Sequence, residues 1–197
     1  SPALVAAHHP KSPIAEEFRA VRTALLFSIG GKSHRVIQIT SPIPGDGKST
    51  LCANVAVTLA QSGKSVVVLD GDFRRPTQHK LFGLKMETGL ASIVDGKVEL
   101  PDAIQETSIE NLSVIACGPR PENPSELLTS PQFEEVLSIL RDRYDYVFVD
   151  TPPILAVTDP CIVAPRVDGV LLVTNTGYDA TSWREGSVAV IDPTDAL

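Results

Sequence analysis

The feature that most constrains this chain is the stretch Ser41-Pro42-Ile43-Pro44-Gly45-Asp46-Gly47-Lys48-Ser49-Thr50. Before it lies the apolar run Val36-Ile37-Gln38-Ile39, which reads as a short buried strand, and after it residues 51–61 read as a helix. A strand that passes through a glycine-containing loop into a helix forms a site for phosphate. The glycines let backbone N–H groups close on an anion, and the helix N-terminus adds the positive end of its dipole. Against the pattern G-x-x-x-x-G-K-[ST], Pro42 occupies the first glycine position. Pro44, Gly45, Asp46, Gly47, Lys48, Ser49 and Thr50 are then the expected phosphate contacts. Lys48 brings a point charge to the outer phosphates, and the Ser49 hydroxyl sits on Mg²⁺. The competing reading is an ordinary strand-to-helix turn.

The rest of the chain has the size and composition to support such a site. With 197 residues, 43% hydrophobic and 21% charged, it suits one soluble domain with a substantial core. A net charge of −7 argues against a nucleic-acid-binding surface. Cys52, Cys117 and Cys161 are widely spaced and form no C-x-x-C pair, so they read as reduced thiols with a mainly packing role. His8, His9, His34 and His79 lack ligand spacing, and no zinc is expected. No apolar stretch approaches the roughly 18 residues that a membrane-spanning helix needs. Together with the lack of a signal peptide, this gives the expectation of a soluble, intracellular piece of a longer protein.

Along the chain, residues 1–11 read as a linker. A helix is expected from Ser12-Pro13, with Ile14, Phe18, Val21 and Leu25 on its apolar face. Glu16 and Arg19 point away from that face and Arg22 lies on its flank, which suits either a solvated side or an interaction surface. A second buried strand spans 65–70, and three short helices follow near 79–82, 89–94 and 102–105. A third strand covers 112–116, a proline-rich ordered loop 118–124, and a helix opens at Pro131 with Phe133, Val136, Leu137 and Leu140 inward. A fourth strand ends at Asp150, a short helix lies near 159–164, and a fifth strand spans 169–174. Strands alternating with helices predict an α/β fold of the P-loop type, a mostly parallel sheet with helices on both faces.

Ligands in open parallel sheets bind beyond the carboxyl ends of the strands. The phosphate loop leaves at that edge, as do Asp70 and Asp72 after the second strand and Asp150 at the end of the fourth. Any one aspartate after a strand can be a turn residue; three at the phosphate-loop edge point to a site that holds Mg²⁺ and supplies a base. Ser49, Asp70 and Asp150 are the expected metal-holding groups. Asp70 is the base candidate, because its strand is expected to neighbour the phosphate-loop strand. Asp150 is assigned to metal-bound water.

SPIPGDGKST, VVVLDGDFRRP and YDYVFVDTPP together resemble the three Walker motifs (A, A′ and B) of bacterial tyrosine kinases, the cytoplasmic ATPase domains of capsular and exopolysaccharide export systems. EEFRAVR, from Glu16 to Arg22, and GPRPENPSELL, from Gly118 to Leu128, extend the resemblance. It implies ATP and Mg²⁺ as cofactors, with Lys48 and Ser49 as the Walker A pair, Asp70 and Asp72 as the A′ pair acting on metal and tyrosine hydroxyl, and Asp150 as the B aspartate. It also implies a homo-oligomeric ring assembled through Glu16, Arg19 and Arg22, with protein tyrosines as substrates. A membrane polysaccharide co-polymerase or activator segment would be the partner, at the inner face of the plasma membrane.

Residues 12–176 form the expected kinase-like domain, and 177–197 a divergent or truncated tail. Such domains often end in a tyrosine cluster; here the tyrosines are Tyr144, Tyr146 and Tyr178, and Tyr178 is the candidate phosphoacceptor. Two other functions compete. A partitioning-type ATPase would carry an early lysine where this loop has Ser41-Pro42-Ile43, and a nucleotide-dependent scaffold would lack transfer altogether.

Overall fold

The computed structural model describes residues 1–28, 36–175 and 186–191. The helices are α1 (Val5–His8), α2 (Pro13–Ser28), α3 (Lys48–Gln61), α4 (Gln78–Phe82), α5 (Leu90–Val94), α6 (Leu100–Ala103), α7 (Pro124–Thr129), α8 (Pro131–Arg143) and α9 (Asp159–Val163). The strands are β1 (Val36–Thr40), β2 (Val66–Asp70), β3 (Ile104–Glu106), β4 (Leu112–Ile115), β5 (Tyr146–Asp150), β6 (Gly169–Asn175) and β7 (Gly186–Ile191). They form one sheet in the order β3-β4-β2-β5-β1-β6-β7. The five expected strands are its parallel centre, and β3 and β7 close the edges antiparallel. β3 follows α6 where a helix near 102–105 was expected, and β7 lies inside the expected tail.

Central parallel strands are covered on both faces, so their sequences run apolar without alternation. β1 and β2 are buried at every position. In β2, Val66 and Val68 pack with α3, while Val67 and Leu69 pack with α5 and α8 on the other face. α8 carries its four expected residues, Phe133, Val136, Leu137 and Leu140, into that second core, and the Ser130 hydroxyl accepts from the Phe133 N–H at its start. Cys52 and Cys117 are buried, as packing thiols should be, whereas Cys161 is exposed.

α3 is buried from Leu51 through Ala60. A helix apolar all round must be covered all round, and α1 and α2 supply the outer layer. The 1–11 segment is therefore not a free linker. The Ala6 N–H donates to Asn54 Oδ1 at 2.9 Å, Asn54 Nδ2 donates to the Ala3 carbonyl at 2.8 Å, and Gln61 Nε2 donates to the Ala6 carbonyl at 3.0 Å.

The buried side of α2 is rotated from the expected one. Ala15, Phe18 and Leu25 are buried, while Ile14 is 42% exposed. That rotation brings Arg22 into the seam, and its Nη1 donates to the Thr58 carbonyl of α3 at 2.7 Å. Glu16 and Arg19 stay outside. Arg19 Nε donates to Glu16 at 2.8 Å, and Arg19 Nη2 donates to the Pro10 carbonyl at 2.5 Å.

Candidate active site

The phosphate loop turns on two glycines. Gly45 and Gly47 have φ of +96° and +83°, the left-handed region that other residues rarely adopt. Gly47 is the residue before α3 and among the described residues no side chain caps that helix, so its first turn presents backbone N–H groups to an anion. Asp46 is buried and braces the loop from inside, its Oδ2 accepting from the Ile43 N–H at 3.4 Å. The segment after β5 is joined to the loop by backbone bonds: the Ile154 N–H donates to the Ser41 carbonyl at 2.8 Å, and the Leu155 N–H to the Pro42 carbonyl at 3.2 Å.

Lys48 is the centre of the site. Its Nζ donates to Ser49 Oγ at 3.0 Å, to Asp72 Oδ2 at 3.0 Å and to Asp150 Oδ1 at 3.2 Å. The three strand ends are thus gathered on one amine. Burial alone would lower the Lys48 pKa, but the carboxylates of Asp150 and Asp72 outweigh it and the pKa is raised. The amine is charged and enclosed by carboxylates, a place that suits exchange of those carboxylates for phosphate oxygens.

The sheet order corrects the reasoning applied to Asp70. β5 lies between β1 and β2, so the neighbour of the phosphate-loop strand is the strand that ends in Asp150. Asp150 pairs in register with Ile39 on one side and with Asp70 on the other. Asp70 is fully buried; its Oδ2 accepts from the backbone N–H groups of Thr77 and Gln78 at 2.8 and 2.9 Å, and among the described residues its Oδ1 has no hydrogen-bond partner. Burial, with Asp150 on the adjacent strand, pushes its pKa up to about 8. Asp72 lies nearer the surface of the site, and its Oδ1 accepts from the Arg75 N–H at 2.9 Å.

Among the described residues, no three His, Cys, Asp or Glu side chains surround a point that could hold a metal ion. Nucleotide sites hold Mg²⁺ through one or two protein oxygens, with phosphate and water completing the shell. The oxygens present, Ser49 Oγ and the Asp150 carboxylate around a common amine, have the hard-donor chemistry for it.

Two partners escaped the sequence reading. Gln78 Nε2 donates to Asp150 Oδ2 at 2.8 Å and to the Ser49 carbonyl at 3.1 Å. Asp159, fully buried, takes Arg74 of the A′ stretch on both oxygens at 3.0 and 3.3 Å, and its Oδ1 also accepts from Ser125 Oγ at 2.9 Å. Nothing in spacing marks either residue, because both act across strands distant in sequence. Tyr178 lies outside the described residues, so the structure says nothing of the candidate acceptor.

A glycine phosphate loop at the carboxyl edge of a parallel sheet defines the class, a P-loop nucleotide-binding protein, and the AAA domain family matches residues 34–183. The tyrosine-protein kinase YwqD of Bacillus subtilis is 41% identical over 88% of this chain and 73% of its own. The tyrosine-protein kinase wzc of Salmonella typhimurium is 36% identical over 96% of this chain, which corresponds to 26% of that longer protein. Among solved structures, the kinase domain of Escherichia coli tyrosine kinase ETK superimposes with a TM-score of 0.86 at 37% identity, covering 90% of this chain and 69% of that one. This chain belongs to the bacterial tyrosine-protein kinase family.

Proposed function

We propose that this chain transfers the γ-phosphoryl group of ATP to protein tyrosine hydroxyls, with Mg²⁺ as cofactor, in the control of exopolysaccharide or capsule synthesis and export. The enzyme class is that of its family, tyrosine-protein kinase. The observation that carries the reading is the Lys48 amine, within 3.2 Å of Ser49, Asp72 and Asp150 at the mouth of an uncapped glycine-loop helix.

Phosphoryl transfer asks a protein chiefly to position the reactants and neutralise charge. In this reading Lys48 leaves the carboxylates for the outer phosphates while the loop N–H groups hold the inner ones. Ser49 and Asp150 would hold Mg²⁺, which neutralises phosphate charge when bound. Asp70 is enclosed and holds the start of α4 through Thr77 and Gln78, so we move the base role from it to its A′ companion. Once Lys48 has turned to phosphate, Asp72 Oδ2 is released to accept the tyrosine proton.

A homo-oligomeric ring is part of the proposal, with the exposed Glu16 and the half-buried Arg19 as its contacts. Arg22 joins it through its hold on α3. Phosphorylation at Tyr178, a polysaccharide co-polymerase or activator as membrane partner, and a place at the inner membrane face complete it. Among the described residues no helix is long and apolar enough to cross a membrane.

The test is to follow γ-labelled ATP with Mg²⁺ and a tyrosine-containing polypeptide, dividing the label between phosphotyrosine and free phosphate. Label on tyrosine is expected. Free phosphate alone would favour a partitioning-type ATPase, and bound nucleotide without turnover a scaffold.

A further inference from the structure

We infer that Gln78 is a positioning residue for phosphoryl transfer, its side-chain amide fixing the Asp150 carboxylate against the first turn of α3. The inference rests on the kinase reading above. Gln78 is fully buried. Its backbone N–H donates to Asp70 at the end of β2, and its side-chain Nε2 donates both to Asp150 at the end of β5 and to the Ser49 carbonyl in α3. One residue therefore ties together the three elements that carry the site.

The division of labour on Asp150 gives the amide its role. Lys48 holds Oδ1 and Gln78 holds Oδ2. If Lys48 turns to the phosphates, Asp150 loses one of its two donors, and the amide is the donor that stays. An uncharged donor suits this task, because it orients the carboxylate without competing with Lys48 for phosphate. Among the described residues Gln78 Oε1 has no hydrogen-bond partner, and the side chain is held through its NH₂ group.

The test uses Gln78→Met, which keeps length and removes the donor, and Gln78→Glu, which sets a carboxylate against Asp150. Both are compared with wild type in the presence and absence of Asp150→Asn. Phosphotyrosine formation, ATP hydrolysis, affinity for a fluorescent ADP analogue and the thermal midpoint are read on the same preparations. Loss of a partner that orients a site ligand lowers activity about 10- to 100-fold. Gln78→Met should lose kcat to that extent with KM for ATP and analogue affinity within about threefold of wild type. Gln78→Glu should lose more. In the Asp150→Asn background, Gln78→Met should cause little further loss.

Unchanged kcat in Gln78→Met would overturn the inference, as would the same loss in both backgrounds. A fall of kcat, analogue affinity and thermal midpoint together would make Gln78 structural and also overturn it. Should Gln78→Glu fail to fold, Gln78→Met alone decides. A wild type that hydrolyses ATP without labelling tyrosine overturns the kinase reading instead, and the variants' hydrolysis rates still decide the role of Gln78.

Discussion

At the scale of single residues, the two carboxylates of the A′ stretch are two positions apart and have different surroundings. Asp70 is sealed between β2, β5 and α4, and its carboxyl is pushed up to about 8. An unfolded aspartate titrates at about 3.9, so between these values the folded chain keeps a proton that the unfolded chain has released. Stability from this group is complete below about pH 4 and is lost as pH climbs through about 8. Without nucleotide or metal, the wild type should therefore lose thermal stability from pH 5 to pH 8 relative to Asp70→Asn, as scanning calorimetry would record. Parallel curves for the two proteins would assign the proton elsewhere. Asp72→Asn should keep the fold and lower phosphotyrosine formation by about 10²–10⁴-fold, the usual weight of a general base; transfer at the wild-type rate would return that role to another group. Lys48, Ser49, Asp72 and Asp150 were legible in the sequence, because a phosphate loop and strand-end carboxylates declare themselves locally. Gln78 and Asp159 were not, since their meaning depends on which strands lie side by side.

At the scale of elements, α3 explains what the sequence reading missed in the first residues. The segment Leu51 to Ala60 offers no polar face to water, so something must cover the side turned from the sheet. Residues 3–8 help to do this, held by Asn54, which donates to the Ala3 and Thr50 carbonyls and accepts from the Ala6 N–H. Too short to show a period, α1 has no stability apart from that surface. Asn54→Ala leaves buried backbone groups unpaired, and should cost about 1–3 kcal/mol per group so exposed, measured by urea unfolding. A variant as stable as wild type would mean that α1 contributes nothing to the fold. The same packing accounts for Arg22: the stripe Ala15, Phe18 and Leu25 turns it toward α3, where the apolar pattern alone had put it on a flank.

At the scale of the whole molecule, the apolar strands and the alternation with helices made the parallel sheet readable, while the strand order was not. Placing β5 between β1 and β2 is a tertiary choice, and it moves Asp150 to the side of the phosphate loop. The edge strands were missed for a physical reason as well. β3 is three residues long with one apolar position, and β7 had no helical partner in the sequence to suggest it. Glu16 is exposed on α2 and pairs with the half-buried Arg19. If they form the ring contact, Glu16→Ala with Arg19→Ala should give a folded monomer in sedimentation velocity; an unchanged oligomer, or a wild type monomeric at every concentration, would remove them from that role.

The central claim is that one amine organises phosphoryl transfer at this edge of the sheet. Lys48 is the only lysine in the loop from Ser41 to Thr50, and no second amine there can neutralise the phosphates. The most direct measurement is phosphotyrosine formed from γ-labelled ATP by wild type and Lys48→Met, with nucleotide affinity read in parallel. Wild type should label tyrosine, and Lys48→Met should bind nucleotide more weakly and label none above background. Turnover near the wild-type rate in Lys48→Met would contradict the account.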